Sequence, residues 1–525
     1  MITTDRGLPK LRYVILVSAV LVVLAHWLQD TTGLSLGDEG YLWYGTLRTA
    51  EGDVPIRDFR SYDPGRYYWC AAFSHLFGDG LLGLRRSSAV FQLLGLLCGL
   101  LALTRVIRNP FLLASCGICM TLWMQPVYKL FEPAVAMMAI WFGVRLLEKP
   151  SKAHLLVAGI FVGLAAFVGR NLGLYCFLAF ACIILYLRFK MHTLPLWRSV
   201  WIWTVGIVVG YSPQLAMIVF IPGYASSFID SVVFLHARGG ANLGLPVPWP
   251  WSASLSSSGL SIVTELSLGV SFLLFPIFLG GSVAYLLLAP RHRIAERHLL
   301  VACLFVGLFY SHHAFSRAEL YHLSGAIHPV LMGLMAAAFI PGKQYRRAIL
   351  PAVLIAATLP SATGGISVLQ RLRLPEKKFV LADIRGDSVW ISRRKAHLLN
   401  STQDLVKERV SAEESILIAP HETVLYPMLG RKAPIWDPYL LWPHTEKKQV
   451  EMIADLEKNN TQWALVFFGA VDNTDDRSLR KAQPLLWAYL AREFEPVPVS
   501  GFTPDTSLMR RKDSQGSETK PELPQ

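Results

Sequence analysis

The ionisable residues best placed to do chemistry lie in segment 34–69, which directly follows the first long apolar run of the chain. This segment reads LSLGDEGYLWYGTLRTAEGDVPIRDFRSYDPGRYYW and opens with two adjacent carboxylates, Asp38 and Glu39. An ionisable pair beside a membrane span is costly if it contacts lipid and useful if it borders a cavity. A carboxylate in such a cavity can accept a proton from a reacting group. Proton transfer is therefore the chemistry open to this pair.

Both carboxylates also have structural explanations. Asp is a favoured N-cap, so Asp38 could cap a helix that starts near Gly40. Glu39 could orient a substrate, or could simply favour the positive end of the helix dipole. Replacement of Asp38 by Asn separates the alternatives, because Asn caps a helix but cannot act as a base.

The rest of the segment predicts two interfacial helices joined by acidic turns. The aromatic run YLWY at 41–44 suits a membrane interface, and a second aromatic helix covers 67–77. Asp58 lies in a Pro-x-Arg-Asp-Phe turn, where it could assist catalysis or hold a neighbouring arginine. Asp63 is a natural residue before a Pro-Gly turn.

Four cationic side chains further along the chain are candidates for binding an anion. Arg66 could meet a phosphate or a lipid headgroup, and Arg170, between two short spans, is costly unless an anion pairs with it. Arg317 and His322 flank Glu319 in an outer loop. That cluster could bind phosphate, or it could be an ion pair that orders the turn.

The elements that must position these residues are membrane helices. The chain has 525 residues, 53% hydrophobic and 17% charged, with a mean hydropathy of +0.39. A charged fraction this far below that of soluble domains indicates a membrane protein. Apolar runs long enough to cross a bilayer predict about eleven spans: 11–29, 82–107, 111–127, 132–148, 153–169, 172–188, 199–220, 262–288, 298–314, 322–341 and 347–362.

The formal charge of +13 describes topology and not a nucleic-acid site. Lys and Arg concentrate in alternate turns, on the same side as Arg6, Lys10 and Arg12. The positive-inside rule therefore places the N-terminus in the cytoplasm, and an odd number of spans places the C-terminal part outside.

The predicted fold is a polytopic α-helical membrane domain followed by an extracytoplasmic α/β domain. The membrane domain covers 1–362, including a first outer loop at 30–80, and the α/β domain covers 363–509. Within the latter, ESILIAP and WALVFF predict buried strands, while AHLLNSTQDLVKERV and KKQVEMIADLEKNN predict surface helices. The polar stretch 510–525 is predicted to be disordered.

Cysteine usage indicates neither a disulfide framework nor a metal centre. None of the seven cysteines follows Cys303, and the Cys116–Cys119 pair lies inside an apolar span without further ligands. His312 and His313 are adjacent and therefore poorly placed to bind one metal. We expect no metal site and no cofactor.

The first outer loop resembles that of a known enzyme class. The pattern DEGYxxYxxxxxxxGxxPxRDFxxxxPGxYYW is similar to the first extracytoplasmic loop of polytopic GT-C glycosyltransferases, which include the protein mannosyltransferases and the bacterial lipid A aminoarabinose transferases. The resemblance extends to Gly169-Arg170-Asn171, to LPVPWPW at 245–251, and to residues 316–322. Two positions depart from the aminoarabinose enzymes, since Tyr41 stands where they have Arg and Asp63 where they have Lys.

The resemblance implies an inverting transfer of sugar from a polyprenyl-phosphate carrier to an envelope glycan, lipid or protein, outside the cytoplasmic membrane. It implies Asp38 as general base with Glu39 and Asp58 in support. The donor phosphate would meet cations, because Arg binds phosphate oxygens in a forked geometry; the candidates are Arg66, Arg170, Arg317 and His322. The partners would be this donor, its acceptor and membrane lipids, with no nucleic acid. A secondary transporter and a non-catalytic carrier-lipid scaffold are the alternatives.

Overall fold

The computed structural model describes residues 11–193, 195–237, 242–253, 259–288, 297–338, 346–373, 378–469, 474–498 and 506–512. The helices up to residue 373 are, in chain order, α1 (Leu11–Gln29), α2 (Asp38–Ala50), α3 (Pro64–Phe77), α4 (Leu81–Leu103), α5 (Pro110–Trp123), α6 (Phe131–Glu148), α7 (Lys152–Val168), α8 (Arg170–Phe189), α9 (Leu196–Gly210), α10 (Ser212–Phe220), α11 (Tyr224–Ala237), α12 (Leu260–Leu288), α13 (His298–Ser316), α14 (Leu320–Ala326), α15 (His328–Ala338), α16 (Arg346–Gly364) and α17 (Ser367–Arg373).

The later part of the chain mixes strands and helices. Its elements are β1 (Phe379–Ile384), β2 (Asp387–Ser392), α18 (Arg393–Arg409), β3 (Ile416–Ala419), α19 (Leu425–Leu429), α20 (Glu446–Lys458), β4 (Trp463–Phe467), α21 (Leu479–Ala482), α22 (Pro484–Glu493), β5 (Phe494–Pro496) and β6 (Thr506–Arg511). The predicted fold class is confirmed: a polytopic helical region is followed by a small domain that contains sheet.

Helices occupy all of the apolar runs that the sequence singled out. Among the described residues, five helices are long and apolar enough to cross a bilayer alone: α1, α4, α8, α12 and α13. Two bent pairs, α9 with α10 and α14 with α15, raise that number to seven if each pair is one span. The chain is therefore a multi-pass membrane protein, and the count of eleven spans stays a prediction.

Contacts divide the chain into two compact units. The first comprises Met1–Thr32 and Tyr62–Glu376, and the second comprises Gly33–Ser61 and Lys377–Gln525. The predicted domain boundary thus differs in the first outer loop, which the sequence placed whole in the membrane domain. Residues 33–61 instead pack with the C-terminal domain, because the aromatic residues of α2 find their partners there.

The aromatic face of α2 is buried and not interfacial. Tyr41, Trp43 and Tyr44 are each at most 4% exposed. The ring of Tyr44 packs 5.4 Å from that of Tyr426, and its hydroxyl accepts a hydrogen bond from the backbone N–H of Ala433 at 3.2 Å. The sequence predicts α2 at the membrane interface because of these aromatic rings. Since the rings are buried against protein, that prediction is wrong.

In the first unit, small residues allow two helices to approach closely. Gly159 and Gly163 of α7 face Gly206 and Gly210 of α9, and a Cβ added at any of the four would collide with the backbone of the other helix. Two small residues spaced four apart are a common device for packing membrane helices, because side chains there would hold the backbones apart.

The second unit is built around a four-stranded sheet of order β3-β4-β6-β5, with β1 and β2 forming a separate antiparallel pair. Strands β3 and β4 are parallel, and β6 pairs antiparallel with β4 and β5. Every residue of β3 and β4 is buried, as expected for parallel strands with both faces covered. The predicted strands and surface helices are confirmed. Strand β6 extends to Arg511, so the prediction of disorder is wrong for residues 510 and 511, and 513–525 lie outside the described residues.

Candidate functional site

The carboxylate of Asp38 stands at the start of α2. Asp38 is the first helical residue, and Gly37 occupies the N-cap position. The hydroxyl of Tyr439 donates a hydrogen bond to Asp38 Oδ1 at 3.1 Å. Asp38 is half-buried, and an acidic residue in the first turn is favoured by the helix dipole.

The loop after β3 fixes the backbone around Asp38. The N–H of Val424 donates to Leu36 O at 2.9 Å, and Thr423 Oγ1 donates to Gly37 O at 2.6 Å. Gly40 makes this packing possible, because an added Cβ would lie 2.5 Å from Val424 Cα. The second unit therefore holds the start of α2 in a defined position.

The loop after β3 also carries two ionisable residues, His421 and Glu422. The ring of His421 lies edge-on to that of Tyr439, with 6.1 Å between centroids. Burial lowers the pKa of His421 to about 4 and raises the pKa of Glu422 to about 7. Both groups therefore tend toward their neutral forms near neutral pH.

Glu39 is fully buried and stabilises the backbone just before α2. Its Oε2 accepts a hydrogen bond from Ser35 N at 3.2 Å. Lys395 Nζ donates to Leu34 O at 2.5 Å, and burial lowers the pKa of Lys395 while the Glu39 carboxylate partly opposes that shift. Glu39 thus stabilises the segment that leads into α2.

Asp58 is likewise engaged within its own turn. Its Oδ2 accepts from Val54 N at 2.7 Å, and its carboxylate binds Arg57 through two hydrogen bonds of 2.8 Å. Burial alone would raise the pKa of Asp58, but the hydrogen bonds from Arg57 and Val54 outweigh it, so that the pKa is lowered. Asp58 therefore holds Arg57, which is one of the two roles that the sequence allowed for it.

A buried ion cluster that the sequence analysis missed lies next to Tyr439. Asp437 is fully buried, and its Oδ2 lies 2.5 Å from Arg60 Nη1 and 2.6 Å from His444 Nε2. Its Oδ1 accepts from Tyr439 N at 2.9 Å. Burial would raise the pKa of Asp437, but Arg60 and His444 together lower it.

In the first unit, Arg66 is buried against a carboxylate. Its Nη1 lies 3.3 Å from Glu132 Oε1, and its Nε donates to Val168 O at 3.2 Å. The guanidinium also stacks 4.9 Å from the ring centroid of Tyr62. Glu132, near the start of α6, is a partner that local sequence did not indicate.

Arg170 is paired with Asp63. Its backbone N–H donates to Asp63 Oδ2 at 2.6 Å, and its Nε lies 2.5 Å from Asp63 Oδ1. Its Nη1 donates to Ser231 Oγ at 2.8 Å. The anion that this position requires is therefore supplied within the chain by the residue before the Pro-Gly turn.

Glu319 brings Arg317 and His322 together. Its Oε1 lies 3.1 Å from Arg317 Nε and 2.8 Å from His322 Nδ1. Burial would raise the pKa of Glu319, but His322 and Arg317 lower it. Arg317 Nη1 also donates to Leu243 O at 3.0 Å. The ion pair that orders this turn is thus present, and it gathers two of the predicted phosphate ligands.

Lys129 adds a cation to this cluster that sequence reasoning did not select. It lies in the loop between α5 and α6 and interacts electrostatically with Glu132, Glu319 and His322. The available signal was an isolated Lys between two apolar runs, the same feature that drew attention to Arg170. Arg317 and Lys129 against the single carboxylate of Glu319, with His322 neutral, leave this cluster with one excess positive charge.

The predicted residues therefore fall into separate groups. Asp38, Glu39 and Asp58 belong to the second unit, and Arg66, Arg170, Arg317 and His322 belong to the first. Within the first unit, Arg317 and His322 share one carboxylate, whereas Arg66 and Arg170 each have their own.

Comparison with known proteins gives a likeness in structure alone. No family model matches the chain, and no curated protein matches it. The crystal structure of ArnT from Cupriavidus metallidurans bound to undecaprenyl phosphate is similar with a TM-score of 0.52 and 16% identity, covering 96% of this chain and 99% of that one. ArnT from the same organism in the apo state is similar with a TM-score of 0.51 and 14% identity, covering 95% and 97%. Over nearly its whole length, this chain has the fold of ArnT, as the resemblance to polytopic GT-C enzymes predicted.

Proposed function

We propose that this protein is an inverting GT-C glycosyltransferase that moves a sugar from a polyprenyl-phosphate carrier to an acceptor at the outer face of the cytoplasmic membrane. The observation that carries the proposal is the likeness, over 96% of the chain, to a structure of ArnT bound to undecaprenyl phosphate. The cation-rich turns of the sequence support a cytoplasmic N-terminus and an extracytoplasmic C-terminal domain.

The proposed reaction is a single displacement at the anomeric carbon. The acceptor hydroxyl attacks that carbon while Asp38 takes its proton. The bond from the sugar to the phosphate oxygen breaks, and the phosphate keeps the electron pair. One displacement inverts the anomeric configuration. Asp38 suits the base because its carboxylate is half-buried at a fixed helix start.

The departing phosphate gains negative charge that cations must stabilise. The group around Glu319 suits this role, because Arg317, His322 and Lys129 lie together there with an excess of positive charge. Arg66 and Arg170 are structural cations, since Arg66 is already paired with Glu132 and Arg170 with Asp63. Glu39 and Asp58 support the segment that carries the base.

The test uses purified full-length protein in lipid nanodiscs with radiolabelled undecaprenyl-phosphate hexoses and pentoses, and with envelope lipid and glycan extracts as acceptors. We expect transfer of label by the wild type and a loss of about 100-fold or more in Asp38→Asn. Asp475→Asn is the matched control, because Asp475 is an exposed carboxylate of the same unit.

The alternatives give different results. Binding of the carrier without turnover would identify a scaffold, and movement of intact sugar across a sealed vesicle would identify a transporter. Full activity of Asp38→Asn would remove Asp38 from the proton-transfer step. Comparison of lipids and glycans from cells that lack the chain with cells that carry Asp38→Asn would identify the missing sugar.

A further inference from the structure

We propose that Tyr439 is a positioning residue for Asp38, and that Asp437, bound to Arg60 and His444, holds Tyr439 in place. This inference deepens the proposed function and rests on it for the role of Asp38 as base. It gives the C-terminal domain an indirect part in the chemistry, through the Tyr439 hydroxyl that donates to Asp38 Oδ1 at 3.1 Å.

The ring of Tyr439 is oriented by packing on several sides. It lies 5.2 Å from the ring of Tyr41, tilted by 46°, and 6.1 Å from the ring of His421 at 90°. A Cβ added at Gly37 would come 2.9 Å from the Tyr439 hydroxyl oxygen. The absence of a side chain at Gly37 therefore leaves the space in which the hydroxyl reaches Asp38.

Several hydrogen bonds stabilise the turn that contains Tyr439. Arg60 N donates to Trp436 O at 2.8 Å, and Trp436 Nε1 donates to Ile56 O at 3.1 Å. Tyr439 N donates to Asp437, and Leu440 N donates to Pro420 O at 2.9 Å. A side chain on so constrained a turn can orient its neighbour without losing much conformational entropy.

The chemical consequence follows from the direction of the hydrogen bond. A phenol that donates to a carboxylate stabilises the ionised form, which is the form that can act as a base. A carboxylate has about four acceptor positions, and the hydrogen bond from Tyr439 uses one of them. The hydrogen bond from Tyr439 thus favours the ionised form of Asp38 and restricts the orientation of its carboxylate.

Other ionisable groups near Asp38 must be separated from Tyr439 in the test. Glu39 follows Asp38 in the same helical turn, and His421 and Glu422 come from the loop after β3. Lys395 approaches from α18, where its Nζ binds Leu34 O. Tyr439→Phe leaves all of these in place and removes one hydroxyl, so a change in the titration of Asp38 reports that hydroxyl alone.

The experiment measures carboxyl reactivity at Asp38 without a substrate. Full-length protein in nanodiscs is treated with a carbodiimide, which reacts with protonated carboxyl groups, from pH 4 to pH 8, and labelling is quantified peptide by peptide with mass spectrometry. In Tyr439→Phe we expect Asp38 labelling to rise about tenfold at the alkaline end, which moves its midpoint up by about one pH unit. Labelling of Asp58 is the internal reference and should not change.

Two further variants separate positioning from general loosening. Tyr44→Phe removes a hydroxyl from α2 that binds the backbone of Ala433, so it should leave the Asp38 midpoint unchanged. Replacement of Tyr439 by 3-fluorotyrosine keeps the ring and makes the hydroxyl a stronger donor, so it should move the midpoint downward.

Several results would overturn the inference. These are an unchanged midpoint in Tyr439→Phe, an equal shift in Tyr44→Phe, an upward shift with 3-fluorotyrosine, or no labelling of Asp38 in any variant. Failure here would leave the Asp38→Asn activity test intact, and an active Asp38→Asn enzyme would leave the Tyr439 contact intact. The two proposals therefore fail independently.

Discussion

Replacing Asp437 by Asn tests whether its buried ion cluster stabilises the second unit. The carboxylate has no exposed side-chain surface, while Arg60 is 15% and His444 is 2% exposed. Removing its charge takes away the carboxylate that pairs with the largely buried guanidinium of Arg60. Such a loss usually costs about 3–5 kcal/mol, and Asn can still accept the Tyr439 N–H, so we expect about 3 kcal/mol. This raises the unfolded fraction of the unit about 150-fold.

The second unit can be measured separately from the membrane helices. Pulse proteolysis of nanodisc samples equilibrated in urea, with detection of a C-terminal tag, follows the second unit. All of the cysteines, from Cys70 to Cys303, lie in the first unit, so reaction with a thiol dye follows that unit alone. Asp437→Asn should lower the urea midpoint for proteolysis and leave the thiol reaction unchanged.

The effect should depend on pH in a defined direction. Because the pKa of Asp437 is lowered in the folded protein, its stabilising contribution is complete above the ordinary carboxyl pKa of about 4 and is lost as pH falls through the lower folded value. The difference between wild type and Asp437→Asn should therefore be full at pH 7 and shrink below about pH 4. Asp475→Asn, which removes an exposed ion pair, should change stability by less than about 1 kcal/mol. If Asp437→Asn behaved like this control, the cluster would not stabilise the unit.

Two further predictions concern the loop that contacts α2. Gly40→Ala should destabilise the second unit by about 2 kcal/mol in the same proteolysis assay, because its Cβ would lie 2.5 Å from Val424 Cα; Gly469→Ala, with no heavy atom within 4 Å of the new Cβ, is the control, and equal midpoints would contradict the close approach. Since burial raises the pKa of Glu422 to about 7, wild-type stability should fall as pH rises from about 4.5 through 7. Glu422→Gln should remove that slope, and an unchanged slope would exclude Glu422 as its source.

The membrane helices could be predicted from the sequence because a span is encoded locally. About twenty consecutive apolar residues form a helix that makes all of its backbone hydrogen bonds internally. Its apolar side chains can face lipid without help from the rest of the chain. The buried strands β3 and β4 were recognisable for a related reason, since each is a short apolar run with both faces covered. The motif around Asp38 is likewise local, and its resemblance to GT-C enzymes indicates the fold class.

Partners of the candidate residues could not be predicted in this way. Asp38 and Tyr439 are 401 positions apart, and Arg60 and Asp437 are 377 apart. A local sequence pattern cannot predict such a pair, because the pair forms only when distant segments of the chain pack together. For the same reason the sequence around Arg170 contains no anion, although Asp63 lies beside it in the structure.

The sequence by itself determined that this is a multi-pass membrane protein, where its helices run, and which short loop carries the acidic motif. Only the tertiary structure decided that residues 33–61 pack with the C-terminal domain, and that Tyr439 meets Asp38. The physical reason is that hydrophobic length and periodicity act over neighbouring residues, whereas hydrogen bonds and buried ion pairs depend on which surfaces the folded chain brings together.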